Sequence, residues 1–281
     1  MTTLTTKSAH PKTRKLESLT RLVNDALERI LPKSQQTPSV IHEAMRYCVF
    51  SGGKRFRPLL SLGACEAVGA SLRRALPVAC AVELIHSYSL VHDDLPAMDN
   101  ADERRGQPAC HRKYGEGNAI LVGDALLTLA FELLGRNGTP NALAIIRAIG
   151  LASGTTGLIG GQVLDLQAIS QPRTATERTL LGIAEQKTAA LITASVVGGA
   201  LAGGASASAV KQLGRYGQDV GLAFQLIDDV HDREGLAQVM GADAAQAQAD
   251  RLIARAVRTL VPFGKQAVTL HHLASWLAAT R

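Results

Sequence analysis

Two groups of aspartates are the side chains of this chain with the clearest chemical potential. They lie in two short stretches, Asp93, Asp94 and Asp99 in one and Asp228, Asp229 and Asp232 in the other. Each group follows a long apolar run, where an ionised carboxylate is costly unless it is paired or holds a metal. Carboxylate oxygens suit a hard divalent cation. The two groups together therefore predict a metal site, and we expect Mg²⁺.

Basic residues near the first aspartate group predict an anionic ligand. Two glycines precede three cations in Gly52-Gly53-Lys54-Arg55-Phe56-Arg57, and a second basic pair, Arg104-Arg105, follows the aspartates. Glycine lets the backbone approach a ligand closely, and the cations offer charge-assisted hydrogen bonds to phosphate oxygens. The first stretch alone could be an ordinary basic turn. Combined with metal-binding carboxylates, the cations fit a diphosphate that a metal bridges on one side and arginine holds on the other.

The elements that must position these residues are predicted to be helices. Hydrophobic residues make up 46% of the chain but aromatic residues only 4%, which indicates an aliphatic, alanine-rich core of packed helices. Residues 78–91, 180–201 and 216–230 are apolar nearly all round, as interior helices are. Pro96 disfavours helical geometry at the preceding residue, so the first aspartate pair is expected in the last turn of its helix. The second group is expected to end another helix, with Gly235 as its stop signal.

The 281-residue chain is expected to form one all-α domain, because no linker divides it. We predict a domain over residues 16–281. Residues 1–15, rich in Thr, Ser and Lys, are predicted to form a disordered tail rather than an organellar transit peptide. The pairs Gly198-Gly199 and Gly203-Gly204 either permit close approach of helices or form turns.

Composition limits the partners of the chain. A formal net charge of +6 favours anionic ligands, and the single Trp and five Phe argue against base stacking with nucleic acid. Four cysteines without Cys-x-x-Cys spacing fit a reducing cytoplasm. Polar residues interrupt the apolar stretches before the roughly 20 residues needed to span a bilayer. We therefore expect no nucleic-acid partner and no stable membrane insertion.

Six stretches, in order along the chain, resemble the motifs of the trans-isoprenyl diphosphate synthases, most closely the bacterial farnesyl diphosphate synthases (geranyltranstransferases). They are Gly-Gly-Lys54-Arg55-Phe-Arg57-Pro, the segment from Glu83 to Asp99, Arg104-Arg105-Gly, Gly161-Gln162-x-x-Asp165-Leu, Lys187-Thr188, and Phe224-Gln225-x-x-Asp228-Asp229-x-x-Asp232. The resemblance covers almost the whole chain from Leu16 onward. It implies a single-domain isoprenoid synthase fold, with helices surrounding a deep central cavity, and a homodimer.

The resemblance also implies a Mg²⁺-dependent prenyltransferase that condenses isopentenyl diphosphate head-to-tail (1'-4) with allylic diphosphates. Metal ions and cationic side chains stabilise the departing diphosphate, so the allylic carbon–oxygen bond ionises without a protein nucleophile. An aliphatic cavity excludes water that would quench the carbocation. The isopentenyl double bond then attacks, and the base that the family implies is the released diphosphate.

Site roles follow from the same resemblance, position by position. The metal ions are bound by Asp93, Asp99 and Asp228, with support from Asp94, Asp229 and Asp232. The allylic diphosphate is held by Arg104 and Lys187, with oxygens of Thr188 and Gln225 near its head. Isopentenyl diphosphate is bound by Lys54, Arg57, His86 and Arg105. A lone histidine such as His86 is otherwise a core residue, whereas Gln162 and Asp165 either orient metal-bound waters or pack between helices.

Two residues before the first aspartates are expected to set product length. Tyr88 and Ser89 precede Asp93 by five and four residues, which is about 6 to 7.5 Å along a helix. A bulky Tyr88 could close the floor of the cavity. This pair, with the inserted Pro96-Ala97, resembles farnesyl more than geranylgeranyl diphosphate synthases. We therefore predict a fifteen-carbon product, with a twenty-carbon product as the alternative.

One departure from the family pattern follows Asp232. Family members carry a Gly- and Lys-rich loop there, whereas this chain continues directly into Arg233-Glu234-Gly235. Either the loop is truly deleted, or a mobile lid is missing from the sequence as given, and we expect the second. A true deletion would support a non-catalytic partner subunit of another synthase. A terpene cyclase is a further alternative, although it would not need the segment from Gly52 to Arg57.

Overall fold

The computed structural model describes residues 11–136, 138–171 and 176–280, and these residues are almost entirely helical. The predicted all-α fold is therefore confirmed. In chain order the helices are α1 (Pro11–Ile30), α2 (Ser39–Phe50), α3 (Phe56–Ala67), α4 (Leu76–Asp93), α5 (Cys110–Tyr114), α6 (Glu116–Gly135), α7 (Ala142–Ser153), α8 (Leu158–Ser170), α9 (Glu177–Ile183), α10 (Ala190–Gly203), α11 (Ala207–Asp232), α12 (Gly235–Met240), α13 (Ala242–Thr259) and α14 (Val268–Ala279). Single 3₁₀ segments occur at Leu72–Arg74 and Val261–Ala267, and a π-helical turn, Ala184–Ala189, joins α9 to α10.

Helix α4 lies inside the bundle because its apolar residues cover nearly its whole surface. It packs against α3, α6 and α10. Pro77 lies in its first turn, where a missing amide costs no hydrogen bond. The helix ends at Asp93 with Asp94 as its C-cap, as the position of Pro96 predicts. Local backbone sterics thus place the first aspartate pair at a helix end.

Helix α11 carries the second aspartate group at its C-terminus. It ends at Asp232 as predicted, and Arg233 stops it in the left-handed conformation with φ 57°. Gly235 is the first residue of α12, so the prediction that it stops α11 is wrong. The physical reason is that Arg233 adopts the positive φ itself, at a cost of about 1–2 kcal/mol for a residue with a Cβ.

A two-stranded hairpin carries the second basic pair. Strand β1 (Glu103–Arg104) pairs antiparallel with β2 (Gln107–Pro108), and two residues connect them. These residues, Arg105 and Gly106, have φ 57° and 73°. Positive φ at both central positions is the signature of a type I′ turn, the connection that suits twisted strands. The hairpin holds Arg105 at its tip.

Of the two roles that the sequence allows for its glycine pairs, Gly198-Gly199 permits close helix approach and Gly204 ends a helix. In α10, a Cβ on Gly198 would press on Val78 of α4, and a Cβ on Gly199 would overlap the carbonyl oxygen of Ser61 in α3. These glycines therefore permit close helix approach. Gly204 instead ends α10 with φ 83°, a conformation that favours glycine.

Substituting Gly199 by alanine should destabilise the protein by about 1–3 kcal/mol, because α3 and α10 must separate to accept the methyl group. Urea unfolding would measure the change. The control is Gly182→Ala in α9, where a Cβ has no neighbour within 4 Å. That change should stabilise the protein by up to about 1 kcal/mol through helix propensity. Equal effects of the two substitutions would contradict the close-packing argument.

The predicted tail is shorter than expected, because α1 begins at Pro11. Residues 11–15 are helical, which corrects their assignment to the tail. Residues 1–10 of the predicted tail lie outside the described residues. Within the described part of α1, Leu19, Val23 and Leu27 are buried against the core, so the helix belongs to the domain.

Three helical stretches are long and apolar enough, by length and composition, to cross a membrane: Glu116–Gly135, Ala142–Ser170 and Glu177–Gly203. The prediction that polar residues interrupt every apolar stretch too early is therefore wrong. All three are partly buried within this chain, with α6 and α10 both packed against α4. The absence of stable membrane insertion stays a prediction.

Candidate active site

The two aspartate groups meet at one cavity of about 570 Å³ between α4, α8, the π-helical turn and α11. Asp93 and Asp228 both line it, although 135 positions separate them in the sequence. The other predicted site residues that line it are Arg57, His86, Tyr88, Ser89, Arg104, Arg105, Lys187, Thr188 and Gln225. Tertiary packing therefore brings most of the predicted site together around one space.

A second cavity of about 500 Å³ adjoins the first. The glycine-rich stretch Gly52–Arg57 forms one wall, and three cations point toward the space from Lys54, Arg57 and Arg105. Arg57, His86 and Arg105 line both cavities. Cations line both cavities, and the first also contains Asp93 and Asp228, for which we call it the acidic cavity and the second the basic cavity. Two connected cavities with this lining suit a reaction between two anionic substrates.

Burial makes Asp93 and Asp228 unusually basic carboxylates. Desolvation raises the pKa of Asp93 to about 6, and among the nearby charges the carboxylate of Asp99 acts in the same direction. Desolvation likewise raises the pKa of Asp228 to about 6, with Asp232 as the next cause. Both shifts report negative charge that the nearby cations compensate incompletely. A divalent cation would compensate it.

The donor set fits a hard divalent cation that a ligand helps to hold. Asp93, Asp99 and Asp228 offer only carboxylate oxygens, the ligands that such ions prefer. Among the described residues, no three acidic, His or Cys side chains come close enough to enclose an ion. Asp99 and Asp232 are exposed at the ends of their motifs. Waters and ligand oxygens would therefore complete the coordination of a metal ion held here, as they do at many Mg²⁺ sites.

Asp94 and Arg104 form a close ion pair. The guanidinium donates from Nη2 to Asp94 Oδ1 at 2.5 Å and from Nε at 3.0 Å, and the carboxylate is almost fully buried. The hydrogen bond to Asp94 raises the pKa of Arg104. Asp94 therefore orients the cation predicted to hold the allylic diphosphate.

Lys187 is held by Asp165, whose Oδ2 accepts from Nζ at 2.5 Å. The π-helical turn presents Lys187 to the cavity, and such turns recur at functional sites. Asp165 therefore positions the Lys187 ammonium and does more than fill space between helices. Gln162 lines the cavity, and its buried amide has no hydrogen-bond partner among the described residues.

A chain of hydrogen bonds ties the π-helical turn to α11 and α12. Thr188 Oγ1 donates to Gln225 Oε1 at 2.5 Å, and Gln225 Nε2 donates to Asp229 Oδ1 at 2.7 Å. The other Asp229 oxygen accepts from the amide of Leu236 at 2.8 Å. Asp229 thus anchors α12, a role that sequence reasoning missed because Leu236 lies beyond the end of the motif.

His86 and Arg57 are poised for an anion in the basic cavity. Burial, followed by the guanidinium of Arg57, lowers the pKa of His86 well below its usual value, so the imidazole is neutral at pH 7. Arg57 Nε is buried without a hydrogen-bond partner among the described residues. A buried donor without a partner is costly, so an anionic ligand at this position would be favoured.

Tyr88 and His92 both line the acidic cavity. The Tyr88 ring packs edge-on against His92 with centroids 5.8 Å apart, and its buried hydroxyl has no hydrogen-bond partner in the described chain. His92 Nε2 lies 3.0 Å from the carbonyl oxygen of Ile120, in space that Gly123 leaves open. Ser89 donates back to the carbonyl of His86 at 2.9 Å. The role of Tyr88 in setting product length stays a prediction.

The loop expected after Asp232 is absent from the chain. The sequence is continuous there, and only Arg233 and Glu234 separate α11 from α12. The Glu234 amide donates to the Asp229 carbonyl at 3.0 Å, which closes the connection. The expectation that a mobile lid is missing from the sequence as given stays a prediction. The cations that the loop would carry have no counterpart in this connection beyond Arg233.

A family model described as polyprenyl synthetase matches residues 38–261, which include both aspartate groups and both basic stretches. The chain belongs to the polyprenyl synthetase family. The resemblance seen in the sequence is therefore confirmed, and the family consists of prenyltransferases that use divalent metal ions and act on isopentenyl and allylic diphosphates. This chain is accordingly a short-chain isoprenyl diphosphate synthase by family.

Similar proteins of this family carry different product names. A geranylgeranyl diphosphate synthase of Cyanophora paradoxa is 45% identical over 231 residues, covering 79% of this chain and 76% of the relative. A dimethylallyltranstransferase of Fischerella ambigua is 42% identical over 263 residues, covering 85% and 76%. Further plant relatives are also named geranylgeranyl synthases. These names favour the twenty-carbon alternative over the fifteen-carbon prediction.

Solved structures of similar proteins share the fold. An FPP/GFPP synthase of Zymomonas mobilis superposes with a TM-score of 0.90 at 35% identity, covering 95% of this chain and 98% of that one. A geranyltransferase of Legionella pneumophila superposes with a TM-score of 0.89 at 34% identity, covering 95% and 97%. The helices of this polyprenyl synthetase family member therefore adopt the isoprenoid synthase arrangement predicted from its motifs.

Proposed function

We propose that this chain condenses isopentenyl diphosphate head-to-tail with an allylic diphosphate, with Mg²⁺ as the divalent ion. One observation carries the proposal: the carboxylates of Asp93 and Asp228 face the same cavity as Lys187, and this cavity adjoins the basic one. Two diphosphates can thus bind side by side. The acidic cavity takes the allylic substrate, and the basic cavity takes isopentenyl diphosphate.

The side chains divide the work of the reaction. When bound by Asp93, Asp99 and Asp228, the metal would neutralise charge on the leaving diphosphate. Lys187 and Arg104 stabilise the same developing charge, because both ammonium and guanidinium are held by carboxylates at the cavity wall. The Gln225 oxygen accepts from Thr188 and lies beside the position proposed for the allylic head. Aliphatic walls exclude water from the carbocation.

Isopentenyl diphosphate is held by a different set of residues. Lys54, Arg57 and Arg105 supply three positive charges around one cavity. Neutral His86 donates one hydrogen bond without adding charge. Binding fixes the double bond next to the allylic carbon, and proximity of this kind lowers the barrier strongly. The released diphosphate is the proposed base.

Two product lengths are candidates for this site. Tyr88 supports a fifteen-carbon product, because its buried ring lines the acidic cavity beside His92 and reduces the room for a longer chain. The names of the sequence relatives support a twenty-carbon product, and they favour it over the first. A longer chain would have to displace or bypass the Tyr88 ring.

The short connection after Asp232 favours a third candidate, a partner subunit that turns over poorly. Arg233 is its only cation, and it is exposed. Both aspartate groups are nevertheless complete, and Lys187 and Arg104 remain in place. We therefore keep catalysis as the principal proposal.

Product analysis separates these candidates. The purified protein is incubated with Mg²⁺, isopentenyl diphosphate and, in separate reactions, dimethylallyl, geranyl or farnesyl diphosphate, and products are identified by mass spectrometry. We expect condensation that ends at fifteen or twenty carbons. No product from any starter would refute catalysis by this chain alone. A change in the product length or rate of a second synthase when this chain is added, measured against that synthase alone, would establish the partner role.

We also propose a homodimer in the cytoplasm. Leu121, Leu143 and Leu151 on α6 and α7 are more than half exposed, and an apolar surface of this kind supports burial against a second copy. The four cysteines are free thiols, which supports a reducing compartment.

A further inference from the structure

The basic cavity contains one carboxylate among the described residues that line it. Glu83 of α4 lies there with four cations, Lys54, Arg55, Arg57 and Arg105. A carboxylate in a site for an anion opposes binding by its charge. Its presence therefore needs a structural reason, and the family motifs assign it no role. Two sequence signals pointed to it: its charge within apolar α4 and its place at the start of the stretch from Glu83 to Asp99.

Glu83 forms a buried ion pair with Arg55. Arg55 Nη1 donates to Glu83 Oε1 at 2.6 Å, and both side chains are about 3% exposed. The same guanidinium donates from Nε to Asn24 Oδ1 at 2.9 Å and from Nη2 to the Val49 carbonyl at 2.7 Å. Arg55 is therefore tied to α1, α2 and α4 at once, and all three nitrogens of its guanidinium donate to groups of the protein.

These hydrogen bonds of the guanidinium, which we call the Arg55 anchor, hold the backbone of Arg55 in place. Arg55 caps α3 at φ 50° and ψ 34°, a left-handed conformation that is unfavourable for a residue with a side chain. Gly52 and Gly53 before it also have positive φ, at 105° and 121°. A segment of this kind has many alternatives, so a buried side-chain anchor is needed to select one. The selected conformation sets the directions of Lys54 and Arg57.

We propose that Glu83 is a positioning residue for isopentenyl diphosphate, acting through Arg55. Glu83 fixes the Arg55 guanidinium, Arg55 fixes the left-handed turn, and the turn aims Lys54 and Arg57 at one diphosphate. Glu83 also neutralises Arg55, so the site keeps the three cations that face the ligand. The inference rests on the proposed function, because the ligand is the one proposed for this cavity.

Replacement of Glu83 by methionine tests the role of the anchor. Because methionine accepts no strong hydrogen bond, Arg55 is released, and we expect KM for isopentenyl diphosphate to rise about tenfold or more. KM for the allylic diphosphate and kcat at saturation should change by no more than about threefold, because Asp93 and Lys187 are untouched. Glu83→Gln keeps an acceptor for Arg55 and should retain most of the affinity.

A purely electrostatic role predicts the opposite pattern. Both Glu83→Met and Glu83→Gln remove one negative charge, so both would bind isopentenyl diphosphate equally and more tightly than the wild type. That result would overturn the proposal. A general loss of packing would raise both KM values or lower kcat alone, and this result would overturn it as well.

Two further variants show whether Glu83 acts through Arg55. In an Arg55→Met background, Glu83→Met should cause no additional loss of isopentenyl diphosphate affinity, whereas additive losses would contradict the linkage. Asn24→Ala removes only the α1 contact of Arg55 and should give a smaller effect of the same kind. If Glu83→Met does not fold, Asn24→Ala still tests whether the contacts of Arg55 affect the affinity for isopentenyl diphosphate. Unchanged affinity in Asn24→Ala together with unchanged affinity in Arg55→Met would refute the anchor.

The matched control is Asp219→Leu. Asp219 is also buried and accepts from Arg255 Nε at 2.9 Å and Nη2 at 2.6 Å, but it joins α11 to α13 outside both cavities. Its replacement should lower the melting temperature and leave both KM values unchanged. If Asp219→Leu also raised KM for isopentenyl diphosphate, the effect of Glu83→Met would reflect the loss of any buried ion pair and not a role of Glu83 in positioning.

Calorimetry with isopentenyl diphosphate and wild-type protein distinguishes this inference from the proposed function. Binding by the wild type and by Glu83→Met with the same affinity would overturn only the positioning role. No binding by the wild type would overturn the proposed function and with it this inference. The expected result is binding by the wild type and by Glu83→Gln, with about tenfold weaker binding by Glu83→Met.

Discussion

Replacing Asp93 with asparagine should lower prenyl transfer by at least about 100-fold and make the metal-free protein more stable at neutral pH. The loss of activity follows from the removal of a charged metal ligand beside the allylic diphosphate. The gain in stability follows from removal of a buried charge that has no full partner. Opposite changes in function and stability are typical of residues that are arranged for a ligand rather than for the fold.

The sign of the stability change follows from the pKa of Asp93. Desolvation raises this pKa from 3.8 to about 6 in the folded protein. Burial of the protonated form therefore favours folding below the ordinary pKa, and this contribution is lost as the pH rises through about 6. At pH 7.5 the wild type carries the whole penalty, at most about 3 kcal/mol for a shift of about two pH units. Asparagine is uncharged at every pH and avoids it.

Chemical unfolding of metal-free Asp93→Asn and wild type at pH 7.5 and pH 4 would measure the effect. We expect the variant to be more stable at pH 7.5, with the difference shrinking toward pH 4. Asp219→Asn is the control, because that carboxylate is paired with Arg255 and its loss should destabilise the protein at pH 7.5. Near-normal turnover by Asp93→Asn would refute the metal site. A variant less stable than the wild type at pH 7.5 would refute the electrostatic argument.

Replacing Tyr88 with alanine should lengthen the product by at least one five-carbon unit. Tyr88 is 5% exposed, lines the acidic cavity and precedes Asp93 by five residues on α4. Its removal opens space toward His92 and Gly123, where the growing chain would otherwise stop. Mass spectrometry of products made from farnesyl diphosphate would measure the change.

Tyr88→Phe is the matched control for chain length. The Tyr88 hydroxyl is buried without a hydrogen-bond partner among the described residues, so its removal changes little except polarity. The ring still closes the cavity, and we expect the product length of the wild type. An unchanged product from Tyr88→Ala would remove Tyr88 as the floor, and a lengthened product from Tyr88→Phe would assign the effect to polarity instead.

The helices, and the aspartate groups at the C-terminal ends of α4 and α11, were predictable from local sequence. Pro96 places the end of α4 at the first aspartate pair, because proline restricts the residue before it. The apolar run before Asp228 predicts a buried α11, and the structure has both features. Gly235 was misassigned for a related reason: glycine is favoured at a helix stop, but Arg233 reached the left-handed region first. Local preferences are probabilities, and neighbouring contacts select among them.

Two contacts that cross the fold could not be predicted from the sequence. Asp94 pairs with Arg104 across the hairpin, and Asp229 accepts from the Leu236 amide. Neither arrangement follows from helical spacing, because each depends on a turn whose direction the motif does not specify. The absent loop after Asp232 matters for the same reason, since it lets α12 begin directly against Asp229.

The sequence by itself determined the family, the helical architecture and the two acidic and two basic groups, because residue types and short-range sterics carry that information. Only the tertiary structure decided which charged side chains share a cavity and which form ion pairs within the protein. Asp93 and Asp228 line one cavity although 135 positions separate them, and Glu83 forms a buried ion pair with Arg55. The physical reason is that a carboxylate's role depends on its desolvation and its nearest cation, and both are set by packing between distant helices.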